Sequence, residues 1–361
     1  MLDFPPTIAS HNTAPSRSDL LSTEETTGGV SVSVVIPCLN EERFIGAVLK
    51  HLAGQYDAGA YEIIVVDGIS ADTTRAKIRE FANAHPGVAV RVLDNPARHI
   101  PVGVNLGIAA ARGEIIVRMD AHSIPSANYV RRCVEMLQTA DDVAVTGMPW
   151  RIRAGAQTPV ARAIALAVAH PFGIGDAKYR APDGDAPQSV DTVPFGVFRK
   201  QLWRELGGFN EDLLANEDYD FNYRARLRGG RVVLDPSGHS IYFARPTFPA
   251  LARQYFRYGN WKAQMVKLHP RSLRWRHLVA PAFVLALMSL SALSLFWRPF
   301  LWLLLPMLSL YALLSLACAA QLARRTQELK LIPIIPLAFV LIHLVWGSGF
   351  LLGLLRTRHG S

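Results

Sequence analysis

Apolar and polar positions change period several times along the chain, and each change predicts an element. The stretch "SVSVVIPCLN", starting at Ser31, is a short apolar run rich in β-branched residues, the pattern of a buried strand. "NEERFIGAVLKHLAGQ" then sets Phe44, Val48, Leu49 and Leu52 at helical spacing, which predicts a helix buried on one side. The alternation repeats. "YEIIVVDG", "VAVRVLDN", "EIIVRMDA" and "DVAVTGMP" predict strands; "ADTTRAKIREFANAH", "PVGVNLGIAAARG" and "SANYVRRCVEMLQTA" predict the helices between them. Strands alternating with helices predict an α/β fold, a mostly parallel central sheet with helices on both faces. Such sheets bind ligands beyond the carboxyl ends of their strands. Three early strands end there in polar residues, Asn40–Glu41, Asp67 and Asp120, which is more than a hydrophobic core requires.

After Pro149 the regular alternation stops. "PVARAIALAVAHPFGIG" predicts an apolar helix entering a loop, and "DAKYRAPDGDAPQ" a polar loop rich in Pro and Gly. "SVDTVPFGVFRK" predicts a strand broken at Gly196, "LANEDYDFNYRARLRGG" a helix with acidic residues in its first turn, and "RVVLDP" a last strand.

Three apolar runs crowd the C-terminal end: Leu278–Trp297, Phe300–Ala320 and Leu331–Leu355. Each reaches the roughly 20 residues a helix needs to cross a hydrocarbon core. None contains an acidic residue, and buried helices of a soluble protein would show polar faces. The predicted organisation is a disordered tail (1–30), one α/β domain (31–245), a basic aromatic interfacial region (246–277), three membrane helices (278–355) and a short tail (356–361). The first segment is rich in Ser, Thr and Pro and has no apolar core, unlike a signal peptide. The α/β domain is therefore expected in the cytoplasm. So is the basic loop "QLARRTQELK", while "RTRHGS" would lie outside, against the positive-inside tendency. The short link at Arg298 leaves open a hairpin that does not fully cross.

Charge sharpens this picture. The net charge is +9, and Pro236–Gln327 contains no Asp or Glu. "ARQYFRYGNWKAQMVKLHPRSLRWRH" carries seven Lys/Arg just before the first span. Basic residues interleaved with aromatics beside a span favour anionic headgroups or a diphosphate over nucleic acid. Cys38, Cys133 and Cys318 have no metal or disulfide spacing and suit a reducing compartment.

No G-x-G-x-x-G follows the first strand and no P-loop motif occurs, so another device must handle phosphate. "VVIPCLNE", "IIVVDGIS", "GEIIVRMDAH", "ANEDYDFNYR" and "QYFRYG", in that order, resemble the inverting family 2 glycosyltransferases. The resemblance runs from about Ser31 to Trp261. The "DAH" variant, "VPFGVFR" and the C-terminal spans are similar to the membrane-bound glucosyltransferases of succinoglycan-type synthesis.

The resemblance implies a GT-A-type nucleotide-binding domain and a nucleotide-sugar donor, a UDP-sugar. It also implies a polyprenyl-diphosphate-linked saccharide as acceptor, and multi-pass residence in a bacterial plasma membrane. It implies that Asp120 reaches a divalent cation, Mg²⁺ or Mn²⁺. His122 is a second ligand, a phosphate partner, or only a cap on the turn before Ile124-Pro125. Pro37, Asn40 and Glu41 would line the nucleotide pocket. Asp67 would take the base or ribose, since a carboxylate accepts from both; as Asp-Gly it also suits a turn. Arg98 would reach the diphosphate or simply lie on the surface.

By the same resemblance Asp218, of the Glu217-Asp218 pair, is the base that deprotonates the acceptor hydroxyl. The bland alternative is that Asn216, Glu217 and Asp218 cap a helix. Asp220 falls off the catalytic face. Gln254 and Arg257 share a helical face. Arg257 is expected at the donor diphosphate, and Tyr258, where the family commonly has Trp, or Trp261 against an acceptor sugar. A purely interfacial helix would also explain them. Val168–Phe172 and Val193–Arg199 would shape the acceptor side, with Gly196 allowing close backbone approach. A polyprenyl-phosphate sugar synthase and a non-catalytic membrane scaffold are the competing functions.

Overall fold

The computed structural model describes residues 30–57 and 59–356. The two expected tails, apart from their inner end residues, lie outside the described residues. The first half contains β1 (Val32–Cys38), α1 (Ile45–Leu52), β2 (Tyr61–Asp67), α2 (Thr74–Ala84), β3 (Ala89–Asp94) and α3 (Ile100–Ala110). It continues with β4 (Ile115–Arg118), β5 (Ser123–Pro125), α4 (Tyr129–Thr139), β6 (Val143–Gly147) and β7 (Trp150–Ala154). Then come α5 (Pro159–Ala167), α6 (Pro171–Ile174), β8 (Gln188–Ser189), β9 (Val197–Arg199), α7 (Lys200–Leu206) and α8 (Glu217–Leu227). β10 (Arg231–Leu234), β11 (Ser240–Ala244), α9 (Phe248–Leu268), α10 (Arg276–Phe296), α11 (Leu301–Arg325) and α12 (Ile335–Leu355) complete the order.

The main sheet runs β3-β2-β1-β4-β9-β6-β10-β8. β1 to β4 pair in parallel, as do β6 and β10; β9 runs against β4 and β6, and β8 against β10. Side chains alternate across the pleat. Val32, Val34 and Ile36 join a core with α1, α2 and α4, while Val35 joins the opposite core with α3 and α8. This is the expected two-faced sheet.

The expected strand over 189–200 is mostly irregular; only β9 is a proper ladder. Pro194 lacks a donor, Phe195 has φ +52°, and Gly196 is pressed so close that a Cβ there would sit 2.9 Å from Val145. The apolar helix from Pro159 also ends early, and Pro171 starts a separate turn. A second sheet, β5-β11-β7, was not anticipated.

Three helices are long and apolar enough to cross a membrane: Arg276–Phe296, Arg298–Arg325 and Leu329–Leu355, with mean hydropathy 2.1 to 2.2. α9 lies against α12 with little between them. A Cβ at Gly353 would stand 2.7 Å from the Asn260 carbonyl, so the glycine lets the backbones approach. Gly347 does the same against Ala280 of α10, also at 2.7 Å. The apolar bundle is thereby locked to the helix that flanks the site.

Candidate active site

The centre of the site is a buried cation. Arg118, the last residue of β4, is 3% exposed. Its Nη1 lies 2.9 Å from Asp120 Oδ1 and 3.4 Å from Asp218 Oδ2, and its Nη2 lies 3.2 Å from Glu217 Oε1. The guanidinium also rests 5.4 Å over the Phe195 ring, a favourable cation–π distance. Phe195 is fixed in turn by the Tyr129 hydroxyl, which donates to its carbonyl at 2.9 Å. A strand end and a helix start thus bring three carboxylates to one guanidinium.

Burial pushes the Glu217 carboxyl up, the Asp218 charge adds to this, and Arg118 opposes it. Burial also raises Asp218; Arg118 opposes and Asp120 adds. Asn216 precedes them with φ +68° and makes no side-chain cap bond. Asp220 is turned away, accepting from Arg224 Nε at 2.8 Å and lying 2.9 Å from His269 Nε2.

His122 is held by Glu41: Nδ1 is 2.9 Å from Oε1. Burial works against the charged imidazole, but the Glu41 hydrogen bond and the Asp120 charge outweigh it and raise the pKa. Nε2 faces Asp120 Oδ2 at 4.0 Å, beyond hydrogen-bond distance. Among the described residues no group of three or more His, Cys, Asp or Glu is placed to hold a metal ion by itself. A cation carried by a diphosphate needs only one or two protein ligands, the rest being phosphate oxygens and water. A carboxylate that fixes the far nitrogen of a ligating histidine is the usual outer-shell arrangement. The donor set fits such an ion.

These groups line a cavity of about 620 Å³. Asp120, His122, Glu217, Asp218, Gln254, Arg257 and Tyr258 all line it. Gln254 Nε2 donates to the hydroxyls of Tyr242, at 2.9 Å, and Tyr258, at 3.0 Å. Trp150 stacks on Tyr242 with centroids 4.1 Å apart. The far wall comes from α10, α11 and α12, through Phe283, Tyr311, Ile342 and Trp346. Trp261 is not part of the cavity. It packs with Leu213, Tyr219, Tyr223 and Met265, so of the two candidate stacking rings only Tyr258 is present.

Residues 33–206 match the model of Glycosyl transferase family 2. The chain carries a family 2 glycosyltransferase domain. The succinoglycan biosynthesis protein ExoA of Rhizobium meliloti (strain 1021) is 28% identical over 345 residues, 94% of this chain and 99% of that protein. The dolichyl N-acetyl-α-D-glucosaminyl phosphate 3-β-D-2,3-diacetamido-2,3-dideoxy-β-D-glucuronosyltransferase of Methanococcus voltae is 23% identical over 329 residues, 90% of this chain and 97% of that one. The mannosyltransferase PcManGT of Pyrobaculum calidifontis, solved with GDP-Man and Mn²⁺, superposes with a TM-score of 0.60 at 19% identity, over 92% of this chain and 89% of that one. The fold is GT-A-like.

The family 2 domain supplies Arg118, Asp120 and His122, whereas Glu217, Asp218 and the α9 residues follow its matched segment. Within the domain a second polar group sits at the ends of β1 to β3, outside the cavity lining. Asp67 is fully buried there. Ser70 donates to it through Oγ at 2.5 Å and N at 3.0 Å, and Arg75 Nε at 2.5 Å. Burial alone would raise its pKa, but the Ser70 and Arg75 bonds lower it. Arg75 also pairs with Asp94. Asn40, at φ +54°, accepts from Ala71 N at 2.9 Å. Pro37 is the last residue but one of β1, and Arg98 is exposed at φ +59°. Glu41 joins the two groups through His122.

Sequence reasoning missed Arg118 and the Trp150–Tyr242 wall. The only signal for Arg118 was one basic residue inside an apolar strand, a residue type almost never fully buried unless paired.

Proposed function

We propose that this glycosyltransferase is membrane-bound, metal-dependent and inverting. It moves a hexose from a UDP-sugar to a hydroxyl of a polyprenyl-diphosphate-linked saccharide in exopolysaccharide synthesis. The observation that carries this is the meeting of Asp120 and Asp218 on Arg118, at the head of a cavity that runs on to the apolar helices. The name of the ExoA relative supports the pathway class, and that of the Methanococcus relative supports a lipid-linked acceptor.

Asp218 takes the proton of the acceptor hydroxyl as that oxygen attacks the anomeric carbon opposite the leaving diphosphate. Burial raises its affinity for that proton, and Arg118 holds the carboxylate in place and ionised beforehand. Glu217 shares Arg118 and sets the charge next to the base. Arg257 steadies the diphosphate, and Tyr258, oriented by Gln254, stacks on the acceptor sugar. Asp120 and His122 Nε2 would hold the divalent cation, with Glu41 fixing the imidazole tautomer. When bound, that ion neutralises the departing diphosphate. The strand-end group of Pro37, Asn40, Asp67 and Arg98 takes the nucleotide, with Arg75 or Ser70 exchanging a bond for it. The domain faces the cytoplasm of a bacterial plasma membrane.

Membranes containing the chain, native lipid extract and a panel of radiolabelled UDP-sugars test this. Metal-dependent label in the organic phase, lost in Asp218→Asn, is expected. Label that survives Asp218→Asn would instead indicate a lipid-phosphate acceptor, which has no hydroxyl proton to remove.

A further inference from the structure

The cavity has a second electrostatic feature that neither the sugar nor the metal uses. Lys262, on α9, lines it and is 5% exposed. Among the described residues its Nζ has no hydrogen-bond partner, and it sits 3.2 Å from the centroid of the Tyr219 ring. The acidic group nearest in influence, Asp191, is already taken. It pairs with Arg276, lies 3.8 Å from Arg274 Nε, and accepts from the Tyr219 hydroxyl at 3.4 Å. Burial pulls the Lys262 ammonium down to about 7, with Arg276 adding and Asp191 opposing.

Arg180 lines the same cavity from the loop before β8. Its guanidinium lies 5.1 Å over the Trp150 ring and 5.5 Å over the Tyr179 ring. Nε has no partner, and Nη1 reaches only the Val168 carbonyl at 3.3 Å and the Tyr255 hydroxyl at 3.2 Å. Among the described residues no carboxylate pairs with either cation. Tyr255, Tyr258 and Lys262 are spaced i, i+3, i+7, one face of α9. The two cations therefore border one stretch of wall about two helical turns long. Buried charges are ordinarily paired; a buried lysine without a partner and a half-buried arginine held only by a carbonyl, a hydroxyl and two rings, in one cavity, suit an anionic ligand.

What surrounds them narrows the anion. Beyond Lys262 the wall is made of Phe283, Ile342 and Trp346 from helices apolar enough to lie in a bilayer. A free nucleotide has no use for such a surface; an isoprenoid or acyl chain does. We propose that Lys262 and Arg180 bind the phosphate of an anionic lipid, whose chain lies along Phe283, Ile342 and Trp346. The proposal rests on the reading of the chain as a transferase to lipid-linked acceptors, and it adds the headgroup site to that reading.

The test uses the full chain in neutral-lipid nanodiscs. Farnesyl phosphate, inorganic pyrophosphate and UDP are titrated against wild type, Lys262→Met and Arg180→Gln, followed by tryptophan fluorescence. Each substitution is expected to weaken farnesyl phosphate at least tenfold and to leave UDP unchanged. Removing an unpaired buried charge should also leave the melting temperature of the free Lys262→Met variant unchanged or higher, which separates lost binding from lost folding. Unchanged farnesyl phosphate affinity in both variants would overturn the proposal. So would an equal loss of UDP, which would assign the cations to the donor. Pyrophosphate binding as tightly as farnesyl phosphate would overturn the lipid assignment. The function and the site fail separately. Farnesyl phosphate binding through Lys262 without sugar transfer would sink the proposed function alone. Transfer abolished by Asp218→Asn but with an unchanged lipid-acceptor KM in Lys262→Met would sink the headgroup site alone.

Discussion

Two charged groups in the cavity are held in opposite ways. In one, a single buried guanidinium, Arg118, faces three carboxylates. In the other, Lys262 and Arg180 face aromatic rings and, among the described residues, no carboxylate. The first group leaves a surplus of negative charge for a cation or a proton. The second leaves a surplus of positive charge for an anion. The two meet through aromatic rings: Arg180 lies 5.1 Å over Trp150, whose ring is 5.6 Å from the Phe195 ring beneath Arg118.

Breaking the Arg118 group should have the largest effect. Arg118→Met leaves the carboxylates without their cation, and removing one partner of a buried pair typically costs about 3–5 kcal/mol. The expected outcome is a clear fall in melting temperature in detergent, together with loss of transfer. Unchanged stability would mean that the carboxylates are solvated and that Arg118 organises nothing. Asp218→Asn keeps the shape and removes only the base. A loss of about 10²–10⁴-fold in kcat is expected, with UDP affinity and melting temperature unchanged. An equal fall in UDP affinity would place Asp218 at the donor instead.

How much of this was legible in sequence depends on how local each signal was. Asp120 and Asp218 were legible because each sits in a short string with a fixed place on a strand end or helix start. The main sheet was legible from period alone. The second sheet was not, since its strands are three to five residues long and two of them follow the break in alternation at Pro149. Trp261 was placed in the site because it lies near Tyr258 in sequence. Which face of α9 meets the cavity is decided by glycine-mediated packing on α12, and that contact spans about 90 residues of chain. Lys262 and Arg180 were hidden for another reason. Lys262 is one of seven cations in its segment and Arg180 one residue of a polar loop, and a cation that lacks a partner is defined only by what surrounds it.

A smaller effect is expected at the link between Glu41 and His122. Glu41→Gln keeps a hydrogen bond to Nδ1 but weakens the hold on one tautomer. Changes in such outer-shell partners typically reduce metal affinity by about 10–100-fold. The activity of the variant should need correspondingly more Mn²⁺ and recover when it is supplied. Direct Mn²⁺ titration by paramagnetic relaxation in the presence of UDP reads the same shift without turnover. Identical Mn²⁺ affinity in variant and wild type would remove His122 from the metal site.

The mildest probe of the Lys262 and Arg180 group is pH. Lys262 has its pKa lowered to about 7 in the free chain, and a bound phosphate would raise it. Above pH 7 the free lysine is mostly neutral, so binding must take up a proton, and affinity falls as pH rises toward the bound-state pKa. The linkage limit is about tenfold per pH unit for one proton. Farnesyl phosphate has already lost its second proton near pH 6, so its charge is constant between pH 7 and 9. The groups facing Lys262 are Tyr219 from α8, Asp191 from the loop before β9, and Arg274, Arg276 and His277 around the start of α10. Burial pushes Tyr219 up to about 12, beyond that window. Wild type should therefore lose farnesyl phosphate affinity steadily from pH 7 to 9, while Lys262→Met, already weak, should stay flat. A flat wild-type profile would mean that lipid binding draws no proton to Lys262, and the pH dependence expected of this group would be lost.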